Sequence, residues 1–475
     1  MNDKKKYRNT IFLFILLGLL NVLFLTSQWL VLVTIIEFAV VLRFLFQNNV
    51  ESALLWHVVF AAISCDQNTL DEGTVTMSYS SLKLIGPLTI SYIILGLIWF
   101  RTCSIAISVP KHSLFLKMRN LFIALFCFGT LFGLVGLVVD NYGLRDFITP
   151  LRYMLIAVLV TDIFCRIYNE RFLKKSLFYS LCLVIAAPIS SALGFFWLGV
   201  SYSYSVFESF IASPILLMTP MLFLVLLNKM PRYLKIWIVI SISCFLALCL
   251  TSGRGSQFVT LFFSVVLLVY LVYFKNNNRN YLQIRLVKVI LPVVLLGVVS
   301  YAFIMLENVG DNLASNKLQQ FVSLFSAFGS QQGRLLDNIS FSPYMRIAET
   351  LNILANGLDN PFCLLFGKGY GGYYTDSLGL FNRVDLYMGA FSDSQIKTGR
   401  FATAHSMYPN VLLFHGVLGF SFVCKLGIDY LRRVKYSCWV FAAFILLLYS
   451  LYFNVSLLIA CILFLFAADY NLKRS

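Results

Sequence analysis

Along the chain, apolar runs of roughly 16–22 residues alternate with short polar connectors, a length that matches helices crossing a hydrocarbon core of about 30 Å. The runs are continuous and do not alternate apolar with polar residues, which argues against a transmembrane β-barrel. They predict about 14 spans, near 10–26, 29–46, 53–64, 84–100, 119–139, 151–168, 176–199, 212–228, 236–251, 256–274, 289–305, 409–427, 437–452 and 453–468. The third is short and the last two also read as one long tilted helix, so the expected count runs from about 12 to about 14. A single long polar insertion breaks the pattern. It divides the chain into a bundle at 1–305, a cap at 306–408 and closing spans at 409–475. A structureless loop of about 100 residues is uncommon, so the insertion is expected to fold into a small helical cap.

Within the cap, Leu318, Phe321, Leu324, Phe325 and Phe328 recur at helical spacing, as in an amphipathic helix lying on the bundle or the membrane. "SPYMRIAETLNILANG" predicts a second helix, with Ser342 as N-cap, Pro343 at the first helical position and Gly357 just past its end. A glycine- and tyrosine-rich loop, "GKGYGGYYTD" (367–376), follows, and "ATAHSMYPN" (402–410) leads into the next span. No internal repeat is visible.

Composition agrees with a lipid solvent: 59% of the 475 residues are hydrophobic, 12% are charged, and the mean hydropathy is +0.82. The expected fold is an all-α polytopic membrane protein. A net charge of +16 raises the question of a polyanionic partner. Lys and Arg gather, however, in short connectors such as "NDKKKYR", "NERFLKK" and "LRRVK", the bias that marks cytoplasmic loops, and no nucleic-acid motif accompanies them. The insertion at 306–408 carries seven Lys/Arg against eight Asp/Glu. Loop parity then puts both termini in the cytoplasm and the cap outside it. Lys4, Lys5, Lys6 and Arg8 precede a first span with no small-residue cleavage site, so that span reads as retained. Of eleven cysteines, all but Cys65 and Cys363 fall in or beside apolar runs, and no metal-ligand spacing occurs.

Chemistry concentrates on the outer side of this map. Arg254, in "LTSGRGSQ", is either a snorkelling arginine in a tight turn or an anion clamp. As a clamp, Gly253 and Gly255 let a phosphate approach, Ser252 and Ser256 add hydroxyls, and the following helix offers free N–H groups. His405 is a solvated histidine or a base for a hydroxyl proton. Arg346 pairs with Glu349 at i,i+3, or makes a phosphate contact that Glu349 orients. Tyr370, Tyr373 and Tyr374 stack on sugar rings or pack the cap, and "GKGYGG" lacks the spacing of a phosphate-binding Walker loop. Asp66, Asp71 and Glu72 lie in the first outer loop, where Asp71 and Glu72 are rival bases. No Asp-x-Asp pair for a metal-held nucleotide sugar occurs. Glu37 and Asp162 fall inside spans, where ionisable groups draw attention, and Glu37 is within local reach of Arg43. His57 and His415 sit in apolar context and His112 in a cytoplasmic connector.

The ordered set "LTSGRGSQ", "SPYMRIAETLNILANGLDNPFCLLFGKGYGGY" and "HSMYPNVLLFHGVLGF" resembles the O-antigen polymerase and O-antigen ligase superfamily of bacterial membrane glycosyltransferases, over about residues 245–425. The resemblance implies a GT-C-like helical fold and a metal- and cofactor-free enzyme in the bacterial cytoplasmic membrane with its site facing the periplasm. The implied reaction polymerises oligosaccharide repeat units carried on undecaprenyl pyrophosphate into a surface polysaccharide. It implies catalytic roles for Arg254, Arg346 and His405. Ser252, Gly253, Gly255, Ser256, Glu349, Gly369, Tyr370 and Tyr373 are expected around the substrate. The partners expected are that lipid-linked oligosaccharide, the bilayer, and the chain-length regulator and flippase of the same pathway, with no nucleic acid. The family often carries Asn directly after the histidine, where this chain has Ser406. A ligase transferring the chain to lipid A core is the alternative within the family. A lipid-linked-oligosaccharide flippase is the alternative from another class, although transporters usually carry internal repeats.

Overall fold

A computed structural model describes residues 2–24, 27–64, 78–85, 88–198, 233–234, 236–241, 243–244, 341–381, 391, 393–433, 447, 451–452 and 455–472. Among them the chain is helical apart from one small ladder. In order come α1 (Asn2–Leu23), α2 (Trp29–Phe46), α3 (Val50–Ile63), β1 (Lys83–Ile85), β2 (Leu88–Thr89), α4 (Ile90–Thr102), α5 (Leu114–Val139), α6 (Leu144–Arg166), α7 (Glu170–Leu198), α8 (Phe341–Leu358), α9 (Pro361–Phe366), α10 (Asp393–Thr398), α11 (Met407–Arg433) and α12 (Val455–Leu472). Six of these helices are long and apolar enough to cross a membrane: α1, α2, α5, α6, α7 and α11. Shorter apolar helices (α3, α4 and part of α12) pack among them, and the chain is a multi-pass membrane protein.

The span expected from residue 84 begins later, at Ile90, because β1 and β2 pair antiparallel in front of it. Pro87 lacks the N–H that a helix interior needs, which accounts for the delay. The predicted spans at 212–228, 256–274 and 289–305 lie outside the described residues. At the other end of the sequence, Tyr452 has φ 66, a left-handed conformation, and stands in a turn just ahead of α12. A left-handed tyrosine breaks helical continuity, so the last two predicted spans are not one long helix.

Helix α12 is the centre of the bundle. From Leu458 to Ala467 every residue is buried, as expected for a helix that is apolar on all sides. Phe466 gathers the rings of Phe164 at 4.6 Å, Phe115 and Phe172 at 5.3 Å, and Tyr168 at 5.6 Å, joining α12 to α5, α6 and α7. On the flank, α1 packs against α7. There a Cβ on Gly18 would come within 2.5 Å of Ser190 Oγ, the close approach that small residues permit between membrane helices.

Ion pairs gather at one end of the bundle. Lys117, near the start of α5, bonds Asp429, near the end of α11, at 2.9 Å, so these helices run antiparallel. At that same end, Asp162 receives Arg119 and Arg166, each at 2.6 Å, and the Trp99 indole N–H at 2.9 Å. Arg166 also donates to the carbonyls of Cys103 and Ile105, and Glu51 accepts from Lys175 and Asn169. Asp162 is therefore a structural knot tying α4, α5 and α6. Glu37 lies deeper and accepts from the Asn21 amide of α1 at 2.8 Å. The other end of α5 is about 33 Å away, the length of 22 helical residues from Lys117. Asp162→Asn removes the counter-charge of two largely buried arginines and is expected to cost about 3 kcal/mol. Thermal unfolding of the purified protein in detergent checks this, and an unchanged midpoint would contradict the knot.

Candidate active site

The site is built on a loop wedged into a broken helix. In α11, Gly416 has φ 62 and ψ −168, and the break turns the carbonyls of Leu413 and Phe414 toward the loop after α9. There the Lys368 N–H donates to Leu413 O at 2.8 Å and the Gly369 N–H to Phe414 O at 3.1 Å. One residue on, the Tyr370 N–H reaches Gly129 O of α5 at 2.9 Å. Irregular backbone inside a helical membrane bundle persists only where its polar groups are met, and here the loop and the broken helix meet each other's.

Glycines make the fit possible. Gly129, Gly133 and Gly136 lie on one face of α5, where Cβ atoms would run into the Tyr370 ring, the Tyr370 carbonyl and the Tyr142 ring respectively. Gly369 has φ 74, and a Cβ there would strike the backbone of Phe132 and Gly133. Tyr370 is fully buried, its hydroxyl donating to Leu125 O at 3.3 Å and standing 3.5 Å from the Tyr452 hydroxyl, which bonds His415 Nε2. Both residues were expected around the substrate. The structure places Gly369 and Tyr370 in the seat of the wedge, against the backbone of α5.

The wedge delivers the chain to a second layer. Tyr374 and Phe401 form an antiparallel bridge, with N···O distances of 3.1 and 3.0 Å, and their rings lie 5.5 Å apart. Under it runs α8. Asn352 and Asn356, one turn apart, hold Leu378 and Thr375 of the loop, while Asp376 caps Leu380 and Phe381. One turn before Asn352 stands Glu349, fully buried. Its Oε1 faces His405 Nδ1 at 2.6 Å and accepts from the Tyr374 hydroxyl at 3.2 Å, and its Oε2 accepts from the His405 backbone N–H at 2.9 Å. The i,i+3 spacing directs attention from Arg346 to Glu349, but the carboxylate faces His405. Burial, then the Glu349 charge, holds the Tyr374 phenol above its ordinary range, so it remains a donor.

These contacts assign the histidine. A carboxylate accepts only, so Nδ1 donates its proton to Glu349 and, in the neutral ring, Nε2 is the basic nitrogen. The His405 side chain is 39% exposed, so the ring is reachable from solvent. Its loop is fixed by Asn410, whose side chain accepts from the Ala404 N–H at 2.8 Å and donates to the carbonyls of Ala404 and Ser406. Asn410 thus braces His405 from four residues beyond Ser406. Arg346 lies one turn from Glu349 on α8, and the Tyr408 hydroxyl reaches its carbonyl at 3.5 Å. Tyr373 stays half-buried, with the Arg400 guanidinium 4.5 Å and the Lys368 ammonium 5.4 Å from its ring centroid. Burial pushes the Lys368 ammonium below its ordinary value.

The structure therefore joins His405 and Glu349 at the end of the bundle opposite the Asp162 knot, with Arg346 one turn from Glu349 on α8. Arg254, Ser252, Gly253, Gly255, Ser256, Asp66, Asp71 and Glu72 lie outside the described residues, as does the amphipathic stretch from Leu318 to Phe328. The predicted helix at 343–356 is α8, two residues longer at each end, with Gly357 inside it making room for Leu364 of α9. Sequence reasoning missed Tyr374 as a donor to Glu349 and missed Asn410 as a brace. The available signal was that Glu349 shares α8 with the buried Met345, Ala348 and Asn352, which left an acid needing an internal partner. No protein-family model matches the chain, and no curated protein matches it.

Gly369→Ala adds both positive-φ strain and a backbone collision, and is expected to cost at least about 2 kcal/mol. Gly399→Ala is the control: φ is 63 but nothing lies within 4 Å, so the cost stays at about 1 kcal/mol. Unfolding midpoints in detergent should fall in that order, and equal losses would contradict the wedge.

Proposed function

We propose that this chain is a membrane glycosyltransferase that polymerises undecaprenyl-pyrophosphate-linked oligosaccharide repeat units into a surface polysaccharide. The single observation that carries the reading is His405, reachable from solvent and held through Nδ1 by the buried Glu349 carboxylate. The basic bias of the short connectors supports the sidedness of this reading, in which the Lys117 and Arg119 end is cytoplasmic and His405 faces outward from the bacterial cytoplasmic membrane.

His405 Nε2 takes the proton of an acceptor sugar hydroxyl as its oxygen attacks the anomeric carbon of the donor. The bond from that carbon to the pyrophosphate oxygen breaks, and its electron pair leaves with the lipid pyrophosphate. Glu349 steadies the imidazolium that forms, as a buried carboxylate does for a general base. Arg346, one turn from Glu349, meets the developing charge on the leaving group, and the sequence resemblance assigns Arg254 the same task. The imidazolium then returns its proton to solvent.

Transfer to lipid A core would use the same residues with a different acceptor. A flippase moves lipid-linked sugars without breaking a glycosidic bond and has no use for a carboxylate-held base. Loss of the gene separates the three: a single repeat on the surface lipid marks a polymerase, none on lipid A a ligase, and internal accumulation of unflipped donor a transporter. For the polymerase, His405→Ala should lower transfer by about 100- to 10,000-fold. Glu349→Gln keeps the shape, removes the charge, and should lower it by about 100-fold. Complementation scored by polysaccharide gel checks both. Long chains from a stably inserted His405→Ala variant would sink the assignment.

A further inference from the structure

Arg152 has no part in the reaction above. It lies eight residues into α6, about 12 Å along the helix from its start at Leu144. Within the described spans Asp162 is answered by Arg119 and Arg166, Asp429 by Lys117, and Glu37 by Asn21. Arg152 differs. Among the described residues it makes neither an ion pair nor a hydrogen bond, and its Nε is enclosed without an acceptor. Its only contacts of this kind are with rings: the guanidinium carbon lies 5.5 Å from the Tyr92 ring centroid and 5.4 Å from that of Tyr153.

The level of this cation in the bundle is informative. Tyr92 belongs to the first turn of α4, and helical side chains lean toward the N-terminus, so Arg152 points toward the starts of α4 and α6. That is the His405 end: Phe147, in the first turn of α6, packs on Gly371 of the wedge loop. The guanidinium therefore lies toward that end of the spans, the part of a membrane helix that meets headgroups, where tyrosine rings and lipid phosphates are found. Rings hold a guanidinium by its face and leave its N–H edge for an anion. An unpaired cation in a span is costly, and a planar donor fork matches phosphate oxygens.

We propose that Arg152 is a lipid-phosphate site on the His405 side of the membrane, with Tyr92 and Tyr153 holding the guanidinium against the phosphate. The ligand is the phosphate of an amphiphile, supplied either by an anionic phospholipid headgroup or by a polyprenyl phosphate carrier. The assignment is independent of the glycosyltransferase reading, because it concerns binding alone.

The test uses the full-length protein in detergent, with decaprenyl phosphate, phosphatidylglycerol and zwitterionic phosphatidylcholine as probes. Native mass spectrometry reads lipid retention, and thermal unfolding reads stabilisation by added lipid. Wild type should retain at least one anionic lipid over phosphatidylcholine, and Arg152→Gln should weaken that retention about tenfold. Arg152→Met removes an unpaired charge, so it should fold, unfold no earlier than wild type without lipid, and lose the midpoint gain that anionic lipid gives wild type. A loss confined to decaprenyl phosphate identifies the carrier as the source. A loss confined to phosphatidylglycerol, or shared by both, identifies a headgroup. Retention and midpoint gain that match wild type in both variants would overturn the site, as would equal retention of all three lipids by wild type.

Discussion

The fit between the Gly367–Gly372 loop and the break in α11 is the constraint on which the rest depends. Helical backbone satisfies itself, so a break inside a membrane bundle exposes polar groups that lipid cannot meet. Gly416 opens α11, and the N–H groups of Lys368 and Gly369 close the account. The glycine face of α5 lets the loop lie directly on helix backbone, and the buried Tyr370 pins it there. Because the loop is fixed from below, Tyr374 and its bridge to Phe401 are fixed above it. Through Tyr374, so is the carboxylate that faces His405.

The second layer turns a costly feature to use. A fully buried carboxylate such as Glu349 persists only when its oxygens are met. Here they are met by a phenol, a backbone N–H and an imidazole, all supplied by the segment from Tyr374 to His405. The same bonds that compensate the burial also select the histidine tautomer and its direction. Asn410 adds rigidity by tying the start of α11 back to Ala404 and Ser406, so the ring is presented from a braced turn. At the opposite end, the Asp162 knot does a comparable service for the connectors, satisfying two arginines and an indole with one carboxylate.

Much of the fold was legible because membrane spans announce themselves by length and continuous apolarity. The helices α2, α5, α6, α7 and α11 fall where the runs predict them, and α8 was marked by its punctuation. The two-stranded ladder ahead of α4 was hidden within an apolar run that looks the same as helix. His405 and Arg346 stood out as polar residues in the cap. The roles of Gly369 and Tyr370 did not, because a glycine-rich loop that binds a ligand and one that seats against a helix have the same composition. What separates them is the glycine face of α5 and the break at Gly416, contacts more than 200 and about 50 residues away in sequence that no local pattern reports. Glu349 was noticed for the wrong neighbour: the i,i+3 rule favours Arg346, and the tertiary contact with His405 lies 56 residues further on.

The central claim is that Glu349 acts through His405. The most direct measurement is a double-mutant cycle on transfer from a polyprenyl-pyrophosphate oligosaccharide by purified protein, combining Glu349→Gln with His405→Ala. If the pair works as one unit, the double variant falls no further than His405→Ala alone. If Glu349→Gln lowers the rate by the same factor with and without His405, the carboxylate acts elsewhere and the account is wrong.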